Sequence, residues 1–314
     1  MSSKEKQKIG LLGVPMGFGA SQIGSELGVT AIRHSRIRGK RLVEHIIDLG
    51  YDITDHGDVD IIRPTENAKP GERAKYLPEM VASCRNIFDS VSSIVQSEEL
   101  PVILGGEHSI AIGTFSGVAG SLIEKKGEVG LIWFDAHSDM NTPQTSPTGN
   151  IHGMPLAALF GHGPAELVNL SGKSPILNHK YFAHVGARDL DSGERSLIAE
   201  LDIRDRFFTM SDIDRRGMFD CVEEALSIVS KAPGGYAVTF DIDVIDPRFA
   251  PGSGTLVRGG ATYREAHLAL EMLAEHGGMR SFEIVEVNPM LDQSNITVEL
   301  ACELILSALG KTIL

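Results

Sequence analysis

Short apolar runs alternating with helix-length segments predict an α/β fold, a three-layer α/β/α arrangement on a mostly parallel central sheet. Two further observations point the same way. Clusters of acidic and imidazole side chains follow directly on four of the apolar runs, and no Pro/Gly/Ser-rich linker divides the chain. Residues 1–314 therefore read as a single domain, long enough to bury a large core.

Strands are expected at 8–14, 51–55, 101–104, 130–134, 181–186, 236–240 and 281–286. Each is short and apolar, as in a sheet that helices cover on both faces. Between them, 75–98, 194–200, 219–230, 263–275 and 295–308 carry helical patterns. In such sheets the functional crevice lies outside the carboxyl ends of the strands. Glu107 and His108 follow the third run, Asp135 to Asp139 the fourth, Asp241 and Asp243 the sixth, and Glu286 ends the seventh.

An apolar content of 42% and a charged content of 23% are ordinary for a globular enzyme. A net charge of −13 argues against nucleic acid or an anionic membrane as partner, since either needs a basic face. Cys84, Cys221 and Cys302 are odd in number, far apart and outside any CxxC pattern, so they read as core packing in a reducing compartment. The apolar run 9–15 is too short for a signal or membrane segment, and a cytoplasmic location is expected.

The most informative stretch is Trp133-Phe134-Asp135-Ala136-His137-Ser138-Asp139, with its distant echo Phe240-Asp241-Ile242-Asp243. Strand alternation would point Asp135, His137 and Asp139 one way, and likewise Asp241 with Asp243. Taken singly, each run also reads as cap and turn residues. His108, after a Gly-Gly that permits a sharp turn, is the natural sixth ligand. Four aspartates would balance two divalent ions, and oxygen-rich ligation with only two imidazoles favours manganese over zinc. The chemistry implied is hydrolysis by metal-activated water.

Gly105-Gly106-Glu107-His108-Ser109, Asp135-Ala136-His137-Ser138-Asp139 and Asp241-Ile242-Asp243-Val244-Ile245-Asp246-Pro247 resemble the three signatures of the ureohydrolases. The resemblance runs from Gly13-Val14-Pro15 to Glu286-Val287-Asn288-Pro289. It implies an arginase-like fold, two Mn2+ ions per chain and hydrolysis of a guanidinium to urea and an amine. His108, Asp135, Asp139 and Asp241 match the ligands of one manganese, and Asp135, His137, Asp241 and Asp243 those of the other. Asp139 is counted with the catalytic groups as well. Glu286 matches the carboxylate that holds the guanidinium, and His152 the histidine that serves as acid or proton shuttle.

The loop 141–152 resembles the one that grips the α-carboxylate of an amino-acid substrate, through Asn141, Ser146, Thr148 and Asn150. Asp191 matches a residue near the α-amino group, with Glu194 beside it, and Thr255 a threonine near the guanidinium. The expected reaction is L-arginine plus water to L-ornithine plus urea; an agmatinase or another guanidino-compound hydrolase is the alternative. The resemblance also implies a homotrimer or homohexamer. Glu107 stands where the family usually has aspartate, and Val244 where glycine is commoner, so the turn there is expected to differ. Arg188 and Asp189 read as structural ion pairs and Asp246 as a turn or cap residue; His56, His162, His179 and His184 receive no role.

Overall fold

The computed structural model describes residues 7–313. Its strands are β1 (Lys8–Val14), β2 (Arg36–Ile37), β3 (Lys40–Arg41), β4 (Asp52–Asp58) and β5 (Leu100–Gly105). They continue with β6 (Gly130–Phe134), β7 (Phe182–Val185), β8 (Phe207–Phe208), β9 (Tyr236–Asp241) and β10 (Met279–Val285). Eight of them form one sheet in the order β4-β1-β5-β10-β9-β6-β7-β8, while β2 and β3 make a small antiparallel pair. Every pairing in the large sheet is parallel.

The central strands are buried on both faces, and their alternation splits the apolar residues into two cores. Leu11, Val102, Ile132, Val238 and Phe282 face one core, with the helices Met218–Val229, Tyr263–His276 and Ile296–Ala308. Leu12, Ile103, Leu131, Trp133 and Ala237 face the other, with the helices Leu77–Gln96 and Ala111–Lys126. A three-layer α/β/α arrangement follows. All three cysteines are buried and unpaired, as expected for core packing.

The expected strands are present with shifted ends, and the five expected helices lie within a few residues of their predicted bounds. The edge strand β4 is longer than expected and largely exposed rather than buried. The two-residue β8 at the opposite edge carries too little pattern to be legible. The helix Ala111–Lys126 was also missed. Three glycines depress its propensity, yet they let it approach its neighbour: a Cβ on Gly113 would lie 2.8 Å from the Cys84 carbonyl oxygen.

Candidate metal centre and active site

The four strands that carry the acidic and imidazole clusters, β5, β10, β9 and β6, are consecutive in the sheet, so their carboxyl ends form one continuous edge. At that edge the chain turns abruptly. His108 opens the 3-10 turn His108–Ile110, capped by Glu107, whose carboxylate accepts the Ser109 N–H at 2.9 Å. The run from Asp135 onward lies beyond β6, and Asp243 sits in the 3-10 turn Ile242–Val244 just after β9. Strand alternation therefore does not orient these side chains, contrary to the sequence reading. Turn geometry does: Asp139 adopts φ 53° and Glu286 φ 62°, a conformation uncommon for residues with a side chain.

The resulting cluster is tight. His108 Nδ1 lies 3.1 Å from Asp135 Oδ2, 3.2 Å from Asp139 Oδ2 and 3.1 Å from Asp241 Oδ2. His137 Nδ1 lies 3.1 Å from Asp243 Oδ2 and 3.4 Å from Asp135 Oδ1. Two sets of candidate ligands emerge, His108 with Asp135 and Asp139, and His137 with Asp135 and Asp243; Asp135 belongs to both.

Surrounding donors fix the outer oxygens. The His137 N–H reaches Asp135 Oδ1 at 2.7 Å, the Asp243 N–H reaches Asp241 Oδ1 at 2.8 Å, and Ala136 N–H reaches Asp243 Oδ1 at 3.2 Å. Trp133 Nε1 donates to Asp135 Oδ2 at 3.0 Å and its ring stacks on His108 at 4.2 Å.

These residues fit divalent cations. His108 Nδ1 and Asp139 Oδ2 are fully buried yet have no hydrogen-bond partner among the described residues, and a shared cation would satisfy both. The electrostatics agree. Burial opposes charge on His108, but the adjacent carboxylates of Asp135 and Asp241, then Asp139, outweigh it and hold the imidazole well above its usual range. Burial, then Asp135, push Asp139 up; burial, then Asp243 and Asp135, push Asp241 up. The protein alone thus gathers more carboxylate than its own cations balance.

Beside the cluster opens a cavity of about 220 Å³. It is lined by every residue expected to meet substrate: Asn141, Ser146, Thr148, Asn150, His152, Asp191, Glu194, Thr255 and Glu286. His108, His137, Asp139 and Asp241 form its floor. Glu286 Oε1 accepts the His108 N–H at 3.0 Å and lies 3.6 Å from His152 Nδ1. Burial lowers the basicity of His152, but the Glu286 contact prevails and raises it overall. Thr255 Oγ1 donates to Asp243 Oδ2 at 3.0 Å.

The loop is cross-braced from below. Asn141 Nδ2 donates to Asp191 Oδ2 at 2.7 Å, while Asp191 Oδ1 caps the helix Ser192–Glu200 by accepting the Gly193 and Glu194 N–H groups. Glu194 Oε1 accepts the Ser138 hydroxyl at 2.7 Å. Ser146 and Thr148 accept the N–H groups of Gly149 and Asn150, which shapes the turn.

Several contributors escaped the sequence reading. His184 is buried, stacks on Phe207 and bonds the His137 carbonyl through Nε2 at 2.7 Å; burial lowers its pKa to about 4. Thr239 Oγ1 meets His108 Nε2 at 2.9 Å, and the buried Glu283 one strand over accepts the Thr114 hydroxyl at 2.6 Å. Polar residues in otherwise apolar strands were the available signal. Arg188 makes no ion pair among the described residues: its guanidinium donates to the carbonyls of Asp243, Val244 and Val257. Asp189 lines the cavity and also forms no ion pair there. Asp246 is the turn residue expected, accepting Arg248 and Gly259. Val244 needs no left-handed backbone; its side chain fills the space where a Cβ on Gly186 would stand, 2.3 Å from Val244 Cγ2.

A model of the arginase family matches residues 7–310. The chain is 43% identical over 306 residues to the arginase of Bacillus subtilis (strain 168), covering 98% of this chain and 99% of that one. It is 42% identical over 308 residues to the arginase of Brevibacillus brevis, covering 98% and 99%. The native structure of arginase from Bacillus caldovelox superposes with a TM-score of 0.91 at 40% identity, covering 99% of this chain and 100% of that one. On a family match over nearly its whole length, and on a shared fold, this chain belongs to the arginase family.

Proposed function

We propose that the chain is an arginase, hydrolysing L-arginine to L-ornithine and urea. One observation carries the reading: a single small cavity joins the ligand cluster, Glu286 and the 141–152 loop. At about 220 Å³ it lies below the ~300–1,000 Å³ usual for drug-sized ligands, in keeping with a substrate of amino-acid size.

His108, Asp135, Asp139 and Asp241 would hold one Mn2+, and Asp135, His137, Asp241 and Asp243 the other. When bound, the pair supplies a water of lowered pKa and a sink for charge developing at the guanidinium carbon. Glu286 accepts the planar guanidinium and aligns it over the cluster. Its contact raises the proton affinity of the buried His152, the group placed to give the departing nitrogen its proton. Asn141, Ser146, Thr148 and Asn150 face the α-carboxylate, Asp191 and Glu194 the α-ammonium, and Thr255 the guanidinium end. A substrate without the amino-acid head leaves these polar groups unpaired. The reading extends to a single-domain homotrimer or homohexamer in the cytoplasm, with no nucleic-acid or membrane partner, consistent with the net charge of −13.

The test is urea release from manganese-loaded protein with L-arginine and agmatine in parallel. Strong preference for L-arginine is expected. Preference for agmatine overturns the substrate but keeps the metal chemistry.

A further inference from the structure

The charged side chains of the cavity lining are all acidic apart from its histidines: Asp139, Asp189, Asp191, Glu194, Asp241 and Glu286 line it, and among the described residues no lysine or arginine does. That suits a guanidinium and an ammonium, but opposes the α-carboxylate of the same substrate. One cation stands directly behind the carboxylate end. Lys75 Nζ donates to Asn150 Oδ1 at 2.9 Å, and the Lys75 N–H donates to the Gly149 carbonyl at 2.9 Å. Lys75 is half-buried and pairs with no carboxylate among the described residues. Among the described residues, the one hydrogen bond its ammonium makes is to Asn150 of the loop.

Asn150 passes that charge on. It is buried, its Oδ1 is taken by Lys75, and one Nδ2 proton goes to Ser21 Oγ at 2.6 Å. An amide nitrogen carries two donors, so one N–H remains for a ligand in the cavity. An ammonium bound at the amide oxygen polarises the group and strengthens that remaining donor.

We propose that Lys75, acting through Asn150, is a specificity-determining residue that favours guanidino substrates bearing an α-carboxylate over their decarboxylated counterparts. This rests on the L-arginine reading above. Lys75 positions and polarises; it does not touch the reacting atoms.

Three variants separate charge from hydrogen bonding. Lys75→Arg keeps both, Lys75→Gln keeps a neutral donor, and Lys75→Met keeps neither. KM and kcat for L-arginine are measured with inhibition by L-ornithine and by 1,4-diaminobutane, which lacks the carboxylate. In Lys75→Gln and Lys75→Met, KM and the ornithine Ki should rise about tenfold, with kcat and the diamine Ki changed less than about twofold. Lys75→Arg should restore most of the loss. Lys75→Gln behaving as the parent overturns the proposal, because the hydrogen bond alone then suffices. Equal weakening of both inhibitors overturns it too, because Lys75 then only holds the loop together. A parent protein that hydrolyses agmatine but not L-arginine overturns the substrate reading and this proposal with it.

Discussion

Replacing Thr239 by Val tests whether the groups beneath the ligand cluster tune its affinity. The side chain lies on β9, pointing into the layer of the helices Leu77–Gln96 and Ala111–Lys126, and holds His108 Nε2 at 2.9 Å. Valine has nearly the same shape, so the substitution removes the hydroxyl's hydrogen bond to His108, together with its contact to the Glu283 carboxylate, and little packing. His108 is only 1% exposed, so no water replaces the lost partner. Leaving a buried N–H unpaired costs about 1–3 kcal/mol. A ligated imidazole cannot turn to find another acceptor, whereas a free one can relax, so the penalty falls on the metal-bound state. At about 1.4 kcal/mol per tenfold, Mn2+ affinity should drop roughly 5- to 150-fold. Calorimetric titration of metal-stripped protein reads this directly. The site served by His108 should weaken, the one served by His137 should hold, and Thr239→Ser should recover the loss. Undiminished affinity at both sites in Thr239→Val, with a lowered Tm, would refute the reasoning and leave Thr239 a packing residue only.

The buried His184 predicts a pH dependence of stability. Burial lowers its pKa to about 4 from an ordinary 6.5, so the unfolded chain takes up the proton first. Its contribution is intact above pH ~6.5 and is lost as pH falls toward ~4, a swing on the order of 3 kcal/mol. His184→Gln, which keeps a donor for the His137 carbonyl, should flatten denaturant-derived stability over that window; an unchanged slope would count against it. Gly186 should tolerate no side chain, because its φ is +102° and an added Cβ would stand 2.3 Å from Val244 Cγ2. Gly186→Ala should lower stability by about 1–3 kcal/mol in denaturant melts, and adding Val244→Ala should recover part of it. A double variant no more stable than the single one would show that the backbone conformation alone sets the cost.

Much of the site was legible because its chemistry is concentrated in short runs. Asp135, His137 and Asp139, then Asp241 and Asp243, are metal-ligating residue types set one residue apart directly after apolar runs. Strand alternation does not bring Asp135 and Asp139 together with His108: β6 stops at Phe134, and the left-handed turn at Asp139 brings its carboxylate back toward His108. Periodicity cannot report such a turn, since aspartate is compatible with both conformations. Arg188 misled for a related reason. An arginine beside an aspartate suggests an ion pair, but its two terminal nitrogens donate to backbone carbonyls, those of Asp243, Val244 and Val257 and, more distantly, Gly186.

The identities and separations of the candidate ligand residues, the alternation of strands and helices, and hence a covered parallel sheet were local properties of the chain. Strand adjacency was not. In the sheet β10 and β9 insert between β5 and β6, so clusters separated by more than a hundred residues become neighbours on one edge. Lys75 meeting Asn150, Thr239 meeting His108 and His184 meeting the His137 carbonyl likewise belong to the assembled fold. Local pattern encodes which face of an element is apolar; which distant element covers that face is settled only when crossovers and side-chain packing are satisfied together.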